Sequence, residues 1–140
     1  MIHEEICTYE VCKFAKEKGF PQHPKDNDRC QIYCWDGLRH IHSLDIWEVW
    51  FYDEYHHDNL YAAPSQSLLQ RWLREEKEVF VEVYTRPHFA TTHTKTFYVW
   101  NIQYYDCKQA YRIFQAPQDT FYTYEEALED ALKYALENLV

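Results

Sequence analysis

Apolar residues recur along this chain with two different periods, and each period predicts its own kind of element. From about Thr8 to Lys18, the residues Val11, Phe14, Ala15 and Lys18 follow a helical repeat. Thr8 suits the N-cap, because its hydroxyl can accept an otherwise orphaned backbone N–H. Gly19 stands where a left-handed C-terminal residue belongs, with Phe20 placed to fold back onto the helix. A second helix is predicted from about Ser65 to Glu76, preceded by Pro64 and capped by Ser65. Leu68, Leu69, Trp72 and Leu73 form its expected buried face, with Gln66, Gln70, Arg71, Arg74 and Glu75 on the wet side. The clearest helical stripe is Leu128, Ala131, Leu132, Ala135 and Leu139, in a helix from about Tyr124 to Asn138. Thr123 caps it, and Glu125 and Glu126 sit in the first turn, where the helix dipole favours acids.

Between these helices the period falls to two. Cys30, Ile32 and Cys34 alternate with Gln31, Tyr33 and Trp35, and Asp36-Gly37 reads as a tight hairpin turn into Leu38 to His42. Trp47, Val49 and Phe51 alternate with Glu48, Trp50 and Tyr52. Further strands are expected at Val79 to Tyr84, Phe97 to Tyr104 and Tyr111 to Gln115. The last three have short connections, which favours an antiparallel meander. Helices and strands are not in strict alternation, which argues against a doubly wound parallel fold. The fold class expected is α+β, in the order α-β-β-α-β-β-β-α. It would have a single mixed or mainly antiparallel sheet of about five strands, helices mostly on one face, and one domain over residues 1–140.

Composition sharpens this picture. The chain has 140 residues, 46% of them hydrophobic and 19% aromatic, which excludes disorder for most of its length. There are 23 acidic and 14 basic residues, for a net charge of −9. That balance argues against non-specific nucleic-acid binding and against docking on anionic lipid. No segment is apolar over 18 consecutive residues, so no membrane span is expected. Met1-Ile2-His3-Glu4-Glu5 does not read as a signal peptide. Five cysteines, an odd count, are expected as reduced thiols in a cytoplasmic setting.

The charge is also unevenly spread. Between Arg39 and Arg71 there is no Lys or Arg, while Asp45, Glu48, Asp53, Glu54 and Asp58 fall in that span. Thr85 to Thr96, with Arg86, His88, His93 and Lys95, is a locally basic loop or hairpin tip, and Pro87 discourages a central strand there.

Several constellations offer chemistry, and each has a plainer reading beside it. Cys30, Cys34, His40 and His42 sit on the predicted hairpin and supply donors of the type zinc takes. The tight C-x2-C knuckle is absent, however, and the plainer reading is that the two cysteines flank Ile32 on a buried strand face. Asp53-Glu54-Tyr55-His56-His57-Asp58 is the densest polar cluster. Its carboxylates and imidazoles suit a divalent metal or proton transfer, but adjacent histidines on an extended chain face opposite ways. Cys7, just before the first helix, is the most plausible reactive thiol, because a helix N-terminus lowers a thiol pKa; Cys12 lies on the far side of that helix start, and the plainer reading of Cys7 is an unremarkable or buried, packed cysteine. With two glycines in all, there is neither a phosphate-binding loop nor a dinucleotide fingerprint. No metal and no cofactor are assigned. Trp47, Trp50, Phe51, Tyr52 and Tyr55 occupy the stretch without Lys or Arg. One face of that strand should be core; the other is either covered by a second helix or left as an exposed aromatic partner site, for which Trp50, Tyr52, Asp53, Glu54 and Tyr55 are the candidate surface.

Three segments carry a resemblance: Thr8-Tyr9-Glu10-Val11 through Lys18-Gly19-Phe20, the run Ala63-Pro64-Ser65-Gln66-Ser67-Leu68-Leu69-Gln70-Arg71-Trp72-Leu73-Arg74-Glu75, and Thr123-Tyr124-Glu125-Glu126-Ala127-Leu128. In this order they resemble a group of short proteins carried by phages and prophages of gut bacteria. The resemblance covers the helical segments and not Ile46 to Tyr61 or Thr85 to Thr96. It implies a mobile-element setting in a bacterial cytoplasm, and no activity, cofactor or catalytic residue.

The function expected is therefore a non-enzymatic accessory protein that binds a protein partner, with no nucleic acid and no membrane involved. A sharper form has Asp45, Glu48, Asp53 and Asp58 mimicking nucleic-acid phosphates. The alternative is a metal-dependent enzyme built around His56 and His57. Direct nucleic-acid binding would require the Thr85–Thr96 region to join a basic face of Lys13, Lys16 and Lys18.

Overall fold

The computed structural model describes residues 4–22, 30–33, 41–44, 60–88, 95–106, 109–115 and 121–140. These divide into two compact units, Ile6–Ser65 and Gln66–Val140 with Met1–Glu5. The expected strand around Trp47 to Tyr52 and the Asp36-Gly37 turn lie outside the described residues. No described helix is long and apolar enough to cross a membrane.

In the first unit, α1 spans Tyr9–Glu17. Thr8 stays extended and its hydroxyl accepts from the Val11 N–H at 3.5 Å. Cys7 precedes this cap and Cys12 lies at the fourth helical position. The two thus hold the places of a hydrophobic staple, which fixes the angle at which the chain enters a helix. Both are fully buried, and the Cys12 thiol donates to the Cys7 carbonyl at 3.7 Å. The helix ends in a Schellman arrangement: Phe20 N–H donates to Ala15 O at 2.9 Å and Gly19 N–H to Lys16 O at 3.1 Å. Gly19 has φ +93°, open to glycine without strain, and Phe20 folds back to bury its ring.

Strands β1 (Cys30–Tyr33), β2 (Ile41–Leu44) and β3 (Tyr61–Ala62) form an antiparallel sheet with β1 in the middle. The register sets Tyr33 opposite Ile41. A two-residue turn at Asp36-Gly37 would set it opposite His40, so the pairing is one position away from that expectation. In a strand, one position exchanges the two faces. The peptide N–H of Ala62 in β3 is taken by the Gln22 side chain at 2.8 Å, and Pro64 follows two residues later. A side-chain cap and a residue without N–H thus stand where a longer ladder would need donors.

In the second unit, α2 (Gln66–Lys77) leads into β4 (Val79–His88), β5 (Lys95–Asp106), β6 (Gln109–Gln115) and α3 (Tyr124–Asn138). The strands form an antiparallel meander in the order β4-β5-β6, with a register shift between Tyr104 and Asp106. Val79, Val81, Trp100 and Ile102 share the buried face of this sheet. Leu69 and Leu73 of α2 and Ala127, Leu128, Ala131, Leu132, Ala135 and Leu136 of α3 are buried as well, and Val99 is buried on the opposite face of the sheet. The Trp100 indole N–H reaches Asp130 at 2.8 Å, and its ring lies 5.3 Å from that of Tyr134. The outermost turn of the predicted α3 stripe shifts, with Leu136 fully buried and Leu139 only half-buried.

Three expectations need correction. The described strands form two three-stranded antiparallel sheets, not a single sheet of about five. The two-residue strand β3 gave no periodic signal, because alternation cannot register over so short a run. On α2, Leu68 is 50% exposed while Gln66 is buried. The Gln66 amide is satisfied inside, donating to Glu125 O at 3.0 Å and Glu129 Oε2 at 2.8 Å. A buried polar group with both N–H donors used carries little of the desolvation cost that would otherwise expel it. Finally, of the segment expected as a loop or hairpin tip, Thr85–His88 and Lys95–Thr96 are the paired ends of the β4–β5 hairpin, Pro87 included.

Pro87 is tolerated because β4 is an edge. Gln70 Nε2 donates to Val81 O at 2.7 Å, so Val81 turns its peptide groups away from β5. On the other side of β5, Tyr98 and Phe121 exchange both backbone bonds at 2.8 and 2.9 Å. Tyr98 is paired with Thr85, so Thr85 must also face away from β5. Pro87 has the same parity as Val81 and Thr85, and its missing N–H costs no ladder bond.

Candidate interaction surface

The segment entering α3 is pinned to β5 by the single antiparallel bridge between Phe121 and Tyr98. Thr123 is extended (φ −127°, ψ 154°), and its hydroxyl accepts from the Glu126 N–H at 3.1 Å. Bridge and cap together leave Tyr122 and Tyr124 on either side of Thr123. The Tyr122 ring lies 5.8 Å from that of Phe97, and the Tyr124 ring meets Tyr98 edge-on at 6.3 Å. Phe97 and Tyr98 are neighbours on β5 and point to opposite faces of the sheet. The aromatic group therefore wraps around one end of the sheet.

This corner is unusually open for its composition. Tyr122 is 72% exposed and Tyr124 is 40% exposed, while Phe97, Tyr98 and Phe121 are half-buried. Glu125 and Glu126, both exposed, border it on the helix side. Each tyrosine offers a rigid apolar ring and a hydroxyl, the combination enriched at protein interfaces. Chemically the corner can pack and hydrogen-bond, and it contains no nucleophile–base pair.

A second aromatic cluster, in the first unit, serves packing. Tyr9 meets Tyr33 and Tyr61 edge-on, at 5.8 and 5.3 Å between ring centroids. The Tyr33 hydroxyl donates to Cys7 O at 2.9 Å. Lys16 Nζ donates to Leu60 O at 2.9 Å and lies 5.2 Å from the Tyr61 ring. Burial, followed by the charge and hydrogen bond of Tyr9, raises the Tyr61 hydroxyl above its usual pKa.

The expected site residues fall as follows. Trp50, Tyr52, Asp53, Glu54 and Tyr55, together with His56, His57 and Asp58, lie outside the described residues, as do Cys34 and His40. The remaining members of the zinc set are on different strands. The backbone register places Cys30 opposite Leu44 and His42 opposite Ile32, not opposite each other. Among the described residues no group of three or more His, Cys, Asp or Glu is placed to hold a metal ion. Cys7 is fully buried, which is the packing reading of that thiol. Of the basic face proposed on α1, Lys16 directs its ammonium group to Leu60.

The aromatic corner was missed because its members come from two stretches far apart in sequence. The available local signal was the run Phe121-Tyr122-Thr123-Tyr124, in which three rings crowd a helix cap whose geometry turns at least one of them outward. Comparison of the chain with family models, with curated proteins and with solved structures finds no match.

Proposed function

We propose that this chain is a non-enzymatic accessory protein of a phage or prophage, acting in the bacterial cytoplasm by binding another protein. The observation that carries the binding role is the open aromatic corner, above all Tyr122 with 72% of its surface exposed. The Tyr122 ring lies 5.8 Å from that of Phe97, and a tyrosine supplies a large contact area at low ordering cost because its side chain has few rotatable bonds. The net charge of −9 supports a protein partner over a nucleic acid. The mobile-element setting rests on the resemblance of the three helical segments.

The test is an affinity capture from bacterial lysate with nuclease present, run in parallel for wild type and Tyr122→Ala. The reading predicts a stoichiometric partner retained by the wild type. It also predicts at least a tenfold loss for the variant, as truncation of an anchoring aromatic produces. Equal capture by the two proteins, or no specific partner for either, would remove the corner from the function.

A further inference from the structure

Among the described residues no strand pairs with the outer edge of β4, and the chemistry of that edge suits a second copy of the same chain. Val81 and Thr85 both turn their peptide groups away from β5, and the unbroken β4–β5 register gives Val83 the same direction. Val81 O is bonded to Gln70. No described residue bonds the outward groups of Val83 or Thr85. Thr85 is exposed, Tyr84 is 44% exposed and Glu82 is exposed. An edge of this kind is a template for another strand.

The sequence of β4 selects which strand. Outward-facing residues must pair with outward-facing residues, which limits a two-fold antiparallel pairing to axes through single residues of β4. An axis at Glu82 sets acid against acid, and an axis at Arg86 sets base against base. Axes at Val83 or Thr85 leave both charges without an opposite partner, apart from His88. Only an axis at Tyr84 sets Glu82 of each copy opposite Arg86 of the other. The same axis pairs Val83 with Thr85 in both directions, where each can exchange both backbone bonds, and places the two Tyr84 residues face to face. It also brings Pro87 opposite Val81, where proline has no N–H to give. Val81 O is the edge acceptor that Gln70 already satisfies.

We propose that two copies of this chain associate through β4, antiparallel about a two-fold axis at Tyr84, joining their meander sheets edge to edge. The paired span is short, so the dimer is weak and depends on concentration. This inference is independent of the aromatic corner and does not require it to bind anything.

Sedimentation equilibrium over about 5 to 500 µM, the range a small interface needs, reads the association directly. Monomer mass is expected at the low end and increasing dimer towards the high end. Glu82→Arg and Arg86→Glu, made singly, each place like charges opposite one another and should weaken association roughly tenfold. The double variant restores opposite charges and should restore association. Amide exchange of the wild type gives a readout that does not depend on any variant folding. The Val83 and Thr85 amides should become protected as concentration rises, and the Tyr84 amide, already bonded within the sheet, should change little. A monomer at every concentration overturns the proposal. So does a dimer indifferent to charge reversal, or a double variant no better than the single ones.

Discussion

The side-chain oxygen of Asn101 is buried without a hydrogen-bond partner, on the central strand of the meander and between Glu82 and Gln115 in register. An acceptor removed from water and left unbonded costs about 1–3 kcal/mol. Valine has nearly the same volume, no polar atom, and a preference for strands. Asn101→Val is therefore expected to stabilise the protein by about 1 kcal/mol, seen as a higher melting temperature. A lower one would mean that the oxygen is bonded in solution, to an ordered water or a ligand. Tyr61 makes a different prediction at the same scale. Its hydroxyl titrates above the ordinary value of 10.0 because burial and Tyr9 disfavour the anion. The native state thus holds that proton more tightly than the unfolded chain. The associated stability is present in full below about pH 10 and is lost as pH rises through and beyond it. Thermal melts from about pH 8 to pH 11 should show the advantage of wild type over Tyr61→Phe shrinking as pH rises. A gap that stays constant or widens would contradict this.

At the scale of elements, the junction between α2 and β4 holds a non-glycine residue in the left-handed region. Glu78 has φ 55° and is exposed. That conformation costs an L-residue about 1 kcal/mol, which glycine avoids. Against this stands the greater freedom glycine has in the unfolded chain. Because the carboxylate is exposed and its loss is cheap, Glu78→Gly is expected to be neutral to stabilising by up to about 1 kcal/mol in denaturant unfolding. A destabilisation of similar size would show that the side chain makes a contact of its own. This junction also marks where the sequence stopped being legible. The caps at Thr8 and Thr123 and the break at Gly19 each have a local chemical cause, so α1 and α3 could be read from neighbours a few residues apart. The meander strands were visible too, since Val79, Val81 and Ile102 alternate with half-buried or exposed residues. The exposed position of Leu68, the buried one of Gln66 and the edge position of Pro87 all depend on pairing partners distant in sequence. So does the aromatic corner, which exists only once Phe121 lies beside Tyr98. The corner is a tertiary object, and no window of the sequence contains it.

At the scale of the whole molecule, the 23 acidic and 14 basic residues act on stability through their sum. Folding compresses a net charge of −9 into a small volume, and this self-repulsion opposes the compact state. Some local terms run the other way. The exposed pair Arg71–Glu75, at 2.8 Å and one helical turn apart, is worth about 0.3–0.5 kcal/mol. Glu125 and Glu126, in the first turn of α3, each gain about 0.3–1 kcal/mol from the helix dipole at low salt. Salt weakens attraction and repulsion together, so the sign of its effect shows which dominates. The screening length falls from about 30 Å at 10 mM to about 3 Å at 1 M, which removes long-range repulsion before contact pairs are fully weakened. Sodium chloride at neutral pH should therefore raise the melting temperature by a few degrees, roughly 1 kcal/mol for a chain of this size. Near the isoelectric point of about 5.3 the net repulsion vanishes and only the favourable pairs remain to be screened. There the same salt should leave the melting temperature unchanged or lower it. A rise of equal size at both pH values would assign the effect to apolar burial strengthened by salt, not to charge.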